Sequence, residues 1–300
     1  MPRSRAGGES MTSSVVTQKA TSASEQLVNL WLGGKSRHTA DYYRRSAKRL
    51  EEFASKPVHL VTFAEVQAFA VHLESLELAA SSRRSIISAV KSLLSFGNKI
   101  GVLSVNVAAP LKPPSAPDTL SERILSESQV QVMIALETDK RNHAMLRLLY
   151  YSGLRVSELC SLKWRNLQAR GESGQITVYG KGGKTRSIVL PKSLWQELQA
   201  LRGDALENEP IFCSRSLNNK TGGHLNRYSV DRIVKAAAAR AGISGKVSPH
   251  WLRHAHASHA LERGAKVHLV QATLGHSNVA VTGRYLHARP EESSGLYLPT

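Results

Sequence analysis

The sequence predicts a mainly α-helical protein with a small antiparallel β-sheet, arranged as an N-terminal helical domain and a C-terminal α+β domain. Apolar residues recur at helical spacing through most of residues 21–103 and again after residue 126. Two alternating segments, 176–179 and 187–190, flank a glycine-rich turn, which is the pattern of a β-hairpin. The chain has 300 residues, more than one small core requires. These observations favour two domains, the second of which contains the sheet.

The first domain is predicted to span residues 21–103 and to hold four short helices with basic outer faces. Residues 1–20 are rich in Ser, Gly, Thr and Arg without periodicity, which predicts a disordered leader. The first helix is predicted from the amphipathic segment Leu27–Leu32, which ends before Gly33, and the second from Thr39 as its opening residue. The Thr62–Glu65 capping box predicts the third helix, and Ser81 or Ser82 starts the last one.

Residues 104–119 predict a linker between the two domains. They contain four prolines and few large apolar side chains, which is typical of an extended connection. The second domain then covers residues 120–300, and its first helix is predicted from the Ser126–Gln129 capping box. Further helices are expected over residues 146–151 and 230–241, on either side of the hairpin.

The charge of the chain predicts a polyanionic partner. The net charge is +17 and the isoelectric point is near 10.1, and the basic residues form many short clusters. Solubility or a membrane surface would also explain such a charge, but its size favours nucleic acid. No apolar run approaches the roughly 20 residues that span a bilayer, and no signal peptide is recognisable, so no membrane association is expected. Cys160 and Cys213 lie far apart and predict no disulfide framework, which fits a reducing, cytoplasmic compartment.

The stretch 248–256 concentrates side chains suited to chemistry on an anion. Pro249 stands at a favoured first position of a helix, behind Ser248 as an acceptable cap. On that helix His250 and Arg253 are three residues apart, so they project from one face. An imidazole beside a guanidinium group suits a reaction that moves a proton at an anionic substrate.

Two other interpretations of these histidines are open. A single histidine on a half-apolar helix is usually a hydrogen-bonded surface or core residue. His250 and His254 also have the i, i+4 spacing of two zinc ligands. However, Trp251 follows His250 where the zinc-protease motif has its glutamate, so the sequence predicts no metal.

Groups of matching chemistry occur elsewhere in the second domain. His276 follows a Leu-Gly break that ends a helix and leaves its ring free, and Tyr285 lies nine residues later. Arg155 and Glu158 are three apart on a helix, so the carboxylate can brace the guanidinium group, although a surface ion pair is the plainer interpretation. Lys181 lies at the tip of the hairpin, where glycines let the backbone approach a phosphate. The glycine spacing is not that of a nucleotide-binding loop, so ATP is not expected.

Together these positions resemble the tyrosine recombinase (phage integrase) family, and in particular its Xer-like members. The resemblance covers the GLRVSEL box at 153–159, the hairpin lysine, a His-x-x-Arg pair, the LGHSN box at 274–278 and a tyrosine near the C-terminus. The six matching positions are Arg155, Lys181, His250, Arg253, His276 and Tyr285. The family implies a helical core-binding domain that clamps one side of duplex DNA, an α+β catalytic domain, and the activity of a site-specific DNA recombinase.

The resemblance also implies a role for each side chain. Tyr285 attacks a phosphodiester and forms a covalent 3′-phosphotyrosine intermediate, which splits one difficult step into two. The two arginines of the set suit the non-bridging oxygens, and His276 is a third donor to them. Lys181 protonates the 5′-oxygen leaving group, His250 acts as general base on the tyrosine hydroxyl, and Glu158 supports the site. Because the covalent link stores the bond energy, no metal, ATP or other cofactor is expected.

The expected partner is double-stranded DNA, bound as two duplexes by a homotetramer, or by a heterotetramer with a paralogue, in the cytoplasm at the nucleoid. The basic side chains expected to contact the DNA backbone are Arg44, Arg45, Arg83, Arg84 and Lys91 in the first domain, and Lys184 and Arg186 in the second. For any one of these residues, a solvated position on the surface is about as good an explanation as contact with a phosphate. Two other functions remain open, a type IB topoisomerase-like enzyme and a catalytically inactive DNA-binding relative.

Overall fold

The computed structural model describes residues 22–115, 119–180, 185–215 and 223–285. The chain divides after residue 117 into two units, each with its own apolar core. The predicted leader and residues 181–184 of the hairpin turn lie outside the described residues. Within the described part, no helix is long and apolar enough to cross a membrane.

The longer elements of the first unit are α-helices. Its α-helices are α1 (Ala23–Leu32), α2 (Arg37–Ala54), α3 (Phe63–Ser75) and α4 (Ala80–Lys99). The predicted capping box of Thr62 and Glu65 starts α3. Helix α2 begins two residues earlier than the sequence predicts, because Ser36 is the cap and its hydroxyl accepts the backbone N–H of Thr39.

The apolar faces of these four helices meet in the first core. Leu50 on α2 and Leu94 on α4 are fully buried, and Phe69 on α3 is almost so. Trp31 stacks on Tyr43 with ring centroids 4.7 Å apart, which joins α1 to α2. Burying one large apolar side chain contributes about 1.5–3 kcal/mol, so packing rather than helix propensity holds this unit together.

The first core extends beyond residue 103, the predicted end of the first domain. Ala108 is fully buried in that core, and Leu111 packs against it. The ammonium group of Lys91 on α4 donates hydrogen bonds to the carbonyls of Ala109, at 3.1 Å, and of Leu111. The first part of the predicted linker is therefore packed rather than extended, because its small apolar side chains complete the core. Lys91 thus ties this segment to α4, and its predicted contact with DNA stays a prediction.

The second unit combines a three-stranded antiparallel sheet with helices. Its strands, in the order β1–β2–β3, are β1 (Leu167–Arg170), β2 (Ser173–Tyr179) and β3 (Thr185–Leu190). Its α-helices in the described residues are α5 (Glu127–Ala135), α6 (Lys140–Ser152), α7 (Val156–Ser161), α8 (Lys192–Arg202), α9 (Arg227–Arg240), α10 (Pro249–Glu262), α11 (Val267–Leu274) and α12 (Val279–Gly283). This arrangement confirms the predicted fold class.

The central strand of the sheet alternates between the core and the surface. Ile176 of β2 lies opposite Leu167 of β1 on one side and Ile188 of β3 on the other. Ile176 and Val178 are buried, while Tyr179 is exposed. This alternation made the β2–β3 hairpin predictable from sequence. Strand β1 was not predicted, because only the first of its four side chains is buried and the alternation is lost.

Helix α6 lies at the centre of the second core and positions the elements around it. Its residues Met145 and Leu149 are fully buried, as are Leu252 and Ala255 of α10, which packs against it. Helix α6 is capped at its C-terminus by Gly153, where φ is +59° and an added Cβ would lie 2.6 Å from the side chain of Leu274. A glycine here therefore lets the end of α11 approach the end of α6. The starts of α7 and α10 and the end of α11 come together as a result.

Candidate active site

Helix α10 supplies three of the polar side chains at this site. Pro249 occupies its first turn, as predicted, and Ser248 before it is extended but makes no hydrogen bond from its side chain to the helix. His250, Arg253 and His254 follow within the next turn and a half. His250 is exposed, whereas Arg253 is buried against α6 and α11.

The guanidinium group of Arg253 joins the ends of two helices. Its Nη1 donates to the carbonyl of Gly153 at 2.5 Å, and its Nη2 donates to the carbonyl of Leu274 at 2.8 Å. These carbonyls end α6 and α11, where the helix dipoles favour a cation. Only 4% of Arg253 is exposed. Burial, and then the charge of Arg155, lowers the pKa of Arg253 to about 10, so the group stays charged at neutral pH.

A buried carboxylate braces a second arginine at the start of α7. The backbone N–H and Nη1 of Arg155 donate to Glu158 at 2.8 and 3.0 Å. Nη2 of Arg155 donates to the carbonyl of Gly275 at 3.3 Å. Arg155 keeps 38% of its side chain exposed, but Glu158 only 8%. The interpretation of Glu158 as a surface ion-pair partner is therefore wrong, because its carboxylate is buried.

Arg186 on β3 completes this ion-pair cluster. Its Nη1 and Nη2 donate to the two carboxylate oxygens of Glu158 at 2.9 and 2.8 Å, and its Nε donates to the carbonyl of Thr273 at 2.7 Å. Burial alone would raise the pKa of Glu158, but the hydrogen bonds from Arg186 and from the backbone of Arg155 hold it below its usual range. The guanidinium group of Arg186 is held by the carboxylate and by a helix end, and 13% of its side chain is exposed. Its predicted contact with the DNA backbone stays a prediction.

Tyr285 lies directly after α12 with its hydroxyl turned into this site. Only 7% of the residue is exposed. Its hydroxyl is hydrogen-bonded to Nδ1 of His254 at 2.7 Å. The ring of His276 lies parallel to the tyrosine ring, with centroids 6.5 Å apart and an interplanar angle of 7°. Nδ1 of His276 is in turn held by the hydroxyl of Thr282 at 2.8 Å, which fixes the orientation of the imidazole.

Burial and the surrounding cations fix the protonation states at neutral pH. Burial raises the pKa of Tyr285, although Arg253 and Arg284 oppose this. Burial, and then the neighbouring positive charges, lowers the pKa of His254 to about 4, and the same causes lower the pKa of His276 to about 4. Both imidazoles are therefore neutral and the phenol is protonated. In the tautomer of His254 that has its proton on Nε2, the tyrosine O–H donates to Nδ1.

The sequence predicted that His250 acts on the tyrosine hydroxyl as a general base. In the structure, the hydroxyl is hydrogen-bonded to His254. The ring centroids of His250 and His254 are 6.4 Å apart. From the sequence, His254 was a candidate only for a zinc ligand. The available signal was the i, i+4 spacing of His254 from His250, since residues four apart on a helix project from the same face. Within the described residues, no group of three or more His, Cys, Asp or Glu side chains could hold a metal ion.

The structure therefore brings together five of the six predicted catalytic positions. They are Arg155, His250, Arg253, His276 and Tyr285, and their mutual charge effects and contacts link them in the second unit. Lys181, the sixth, lies outside the described residues, as does Lys184, which was predicted to contact DNA.

The arginines predicted to contact DNA from the first unit differ in their surroundings. Arg45 on α2 and Arg84 on α4 are exposed. Arg44 is also exposed and donates to the side chain of Asn29 at 3.2 Å. Arg83 is mostly covered, with 23% of its side chain exposed, and pairs with Glu74 at 3.4 Å. The exposed arginines are thus better placed than Arg83 to meet a phosphate.

Residues 122–292 match the phage integrase family, and residues 27–99 match the phage integrase N-terminal SAM-like domain. The chain belongs to the phage integrase family. It is a tyrosine site-specific recombinase.

Curated relatives resemble the chain over most of its length. Tyrosine recombinase XerC of Xanthomonas campestris pv. campestris (strain B100) is 34% identical over 262 residues, which cover 84% of this chain and 79% of the relative. Tyrosine recombinase XerD of Vibrio cholerae serotype O1 is 31% identical over 283 residues, which cover 90% of this chain and 93% of the relative.

Solved structures share the fold at lower identity. The XerH site-specific recombinase bound to difH substrate, in a pre-cleavage complex, has a TM-score of 0.69 and 18% identity and covers 93% of this chain and 85% of that one. A lambda integrase dimer bound to a COC′ core site has a TM-score of 0.70 and 19% identity and covers 89% of this chain and 95% of that one.

Proposed function

We propose that this recombinase cuts and rejoins strands of duplex DNA through Tyr285, with Arg155, Arg253 and His276 holding the phosphate. The observation that carries the proposal is the position of the tyrosine hydroxyl. That hydroxyl is buried, hydrogen-bonded to an imidazole, and within the field of Arg253. A phosphodiester that reaches this oxygen therefore meets a nucleophile and a set of fixed cations together. The match to recombinases named as DNA-bound supports duplex DNA as the partner.

Arg253 can bind the phosphate without giving up its contacts with the two helix ends. A guanidinium group has five N–H donors, and the bonds to Gly153 and Leu274 use two of them. The remaining donors, with those of Arg155, suit the non-bridging oxygens, where charge develops in the five-coordinate transition state. Because both groups are held by helix ends and by Glu158, little reorganisation accompanies the reaction. Each such preorganised donor is worth about 10²–10³ in rate.

The reaction then follows from the atoms in place. The tyrosine oxygen attacks phosphorus, the bond from phosphorus to the 5′-oxygen breaks, and the enzyme is left joined to a 3′-phosphate. Lys181 protonates the departing 5′-oxygen, an assignment that rests on its match to the family's hairpin lysine. The 5′-hydroxyl of a partner strand reverses the step and exchanges the strands. Since the phosphotyrosine keeps the bond energy, the protein side chains suffice for both steps.

A nicked suicide substrate tests the proposal. A nick close to the cleavage point releases a short 5′-fragment by diffusion, so the covalent protein–DNA adduct accumulates and is seen as a shifted band on a denaturing gel. The wild-type chain is expected to form this adduct. Tyr285→Phe is expected to abolish the adduct, because the nucleophilic oxygen is gone, while duplex affinity changes by less than about twofold.

Tyr179 offers a matched control, since it is an exposed tyrosine of the same unit. Tyr179→Phe is expected to form the adduct at the wild-type rate. An adduct that survives in Tyr285→Phe would remove Tyr285 as the nucleophile. Transfer of a labelled strand between two duplexes, rather than relaxation of one, is the readout for recombination.

The assembly and location follow from this reaction. Exchange between two duplexes needs four cleavages, so we expect a tetramer, of identical chains or with a paralogue. Because its proposed substrate is DNA, we expect it to act in the cytoplasm at the nucleoid. Cross-linking on the suicide substrate is expected to yield a species of four protein chains.

A further inference from the structure

His254 meets the geometric condition for a base acting on Tyr285. A side chain that takes a proton must lie within about 2.6–3.2 Å of the atom that carries it. Nδ1 of His254 lies 2.7 Å from the tyrosine hydroxyl. His250, the histidine of the family motif, is one helical turn away and exposed.

The surroundings of His254 explain why it faces the tyrosine as a neutral acceptor. His250 and Arg253 face it from α10, Arg123 from the turn ahead of α5, and Arg284 with Tyr285 from the segment after α12. All the charged groups in this set are positive. An imidazolium ion is disfavoured among them, and the neutral ring with its proton on Nε2 has a lone pair on Nδ1 for the phenolic proton.

We infer that His254 is a catalytic residue that takes the proton of Tyr285 as the tyrosine attacks phosphorus. This inference rests on the proposed function and assigns its base to a position outside the six family residues. The O–H bond of Tyr285 breaks and its proton goes to Nδ1, while the new O–P bond forms. The bond from phosphorus to the 5′-oxygen breaks, and its electron pair leaves with that oxygen. In the second step the tyrosine oxygen is the leaving group and recovers the proton from His254.

The protonation states require that proton transfer accompany attack. Burial raises the pKa of Tyr285 and, with the cations, lowers the pKa of His254 to about 4, so transfer in the free enzyme is unfavourable. A bound phosphodiester places a negative charge among the cations and favours the imidazolium ion. The phenolic oxygen also loses its affinity for the proton as its bond to phosphorus forms. His254 therefore becomes a useful base only with DNA in place.

Asparagine at this position separates proton transfer from orientation. Because the imidazole uses Nδ1, the side-chain oxygen of His254→Asn takes the same place as a hydrogen-bond acceptor but does not take up a proton. The variant is compared with wild type in single-turnover cleavage of two suicide substrates. One has the ordinary 5′-oxygen leaving group and the other has sulfur in its place. A thiolate leaves without a proton, so sulfur compensates for a lost acid but not for a lost base.

We expect His254→Asn to cleave both substrates about 10²-fold more slowly than wild type, with unchanged duplex affinity. Cleavage at the wild-type rate would mean that the imidazole only orients the tyrosine, and recovery by sulfur alone would mean that it serves the leaving group. Either result overturns the inference. If His254→Asn fails to bind DNA, His254→Ala with added imidazole decides, since recovered cleavage supports a base and no recovery refutes it.

His268→Asn is the matched control, because His268 is an exposed histidine on α11. It is expected to cleave both substrates at the wild-type rate. Adduct formation by the wild-type chain distinguishes a failure of the proposed function from a failure of the role of His254. If wild type forms no adduct, the proposed function fails, whereas an adduct formed equally by wild type and His254→Asn refutes only the role of His254.

Discussion

Arg253 serves both the fold and the proposed chemistry. Its guanidinium group ties the last carbonyls of α6 and α11 together and keeps further donors for a phosphate. A lysine retains the charge but has a single nitrogen on a flexible stem, so it does not reach both carbonyls in the same way. One of two buried acceptors would then lose its partner, which costs about 1–3 kcal/mol.

Arg253→Lys is therefore expected to lower both catalysis and stability. We expect the single-turnover cleavage rate to fall by about 10²–10³. The free energy of unfolding in a denaturant titration should fall by about 1–3 kcal/mol. Arg263→Lys is a control, because Arg263 pairs with Glu127 at the surface and 74% of its side chain is exposed. A variant Arg253→Lys with wild-type cleavage would show that the fork geometry is not needed.

At the scale of elements, one side chain of β3 connects three parts of the site. Arg186 contacts Glu158 of α7 and the carbonyl of Thr273 on α11. Along the chain, it lies a few residues after Lys181 of the hairpin turn. Glu158 in turn holds Arg155. Arg186 thus acts as a positioning residue, because its contacts set where other groups lie.

Substitutions of Arg186 are expected to slow cleavage without weakening DNA binding. Arg186→Gln removes the charge beside a buried carboxylate, and a displacement of about 1 Å at a reacting group costs about 10²-fold. Arg186→Lys restores the charge but not the paired hydrogen bonds, so it should recover part of that loss. Single-turnover rates at saturating DNA measure the effect on cleavage, and separate affinity measurements give the effect on DNA binding. Equal rates for Gln, Lys and wild type would contradict a positioning role.

The elements show what was predictable from sequence. Capping boxes and apolar spacing are local signals, so the start of α3 and the β2–β3 hairpin were predictable, and the fold class was confirmed. Strand β1 has almost no alternation, and the packing of Ala108 depends on contacts distant in sequence. At the site, the catalytic residues were predicted from their match to the family's motifs. The bond from His254 to Tyr285 depends on where α12 ends against α10, which no local pattern reports.

At the scale of the whole molecule, the net charge of +17 predicts strongly salt-dependent DNA binding. Each phosphate that a basic side chain neutralises releases counterions and contributes about 0.9 to the slope of log affinity against log salt. In the first unit, the arginines differ in whether their charge is already balanced by a glutamate. Arg45 and Arg84 face solvent, whereas Arg83 pairs with Glu74.

Alanine substitutions in the first unit are expected to separate these two groups. Arg45→Ala and Arg84→Ala should each weaken duplex binding and reduce the salt slope by about 0.9. Arg83→Ala should change the slope much less, because its charge is already balanced. Fluorescence anisotropy over a series of salt concentrations measures both quantities. A slope reduced equally by all three substitutions would show that the ion pair opens when DNA binds.

The double use of Arg253 also bears on how relatives of this chain can lose activity. A descendant that abandoned strand cleavage would still need a cation to close the ends of α6 and α11, so selection for a folded protein alone would preserve this arginine. The hydroxyl of Tyr285 is hydrogen-bonded to a single side chain, His254, rather than to two helix ends, and a phenylalanine would fill the same space. Among diverged copies, the phenolic oxygen rather than the guanidinium group is therefore the informative marker of a working enzyme.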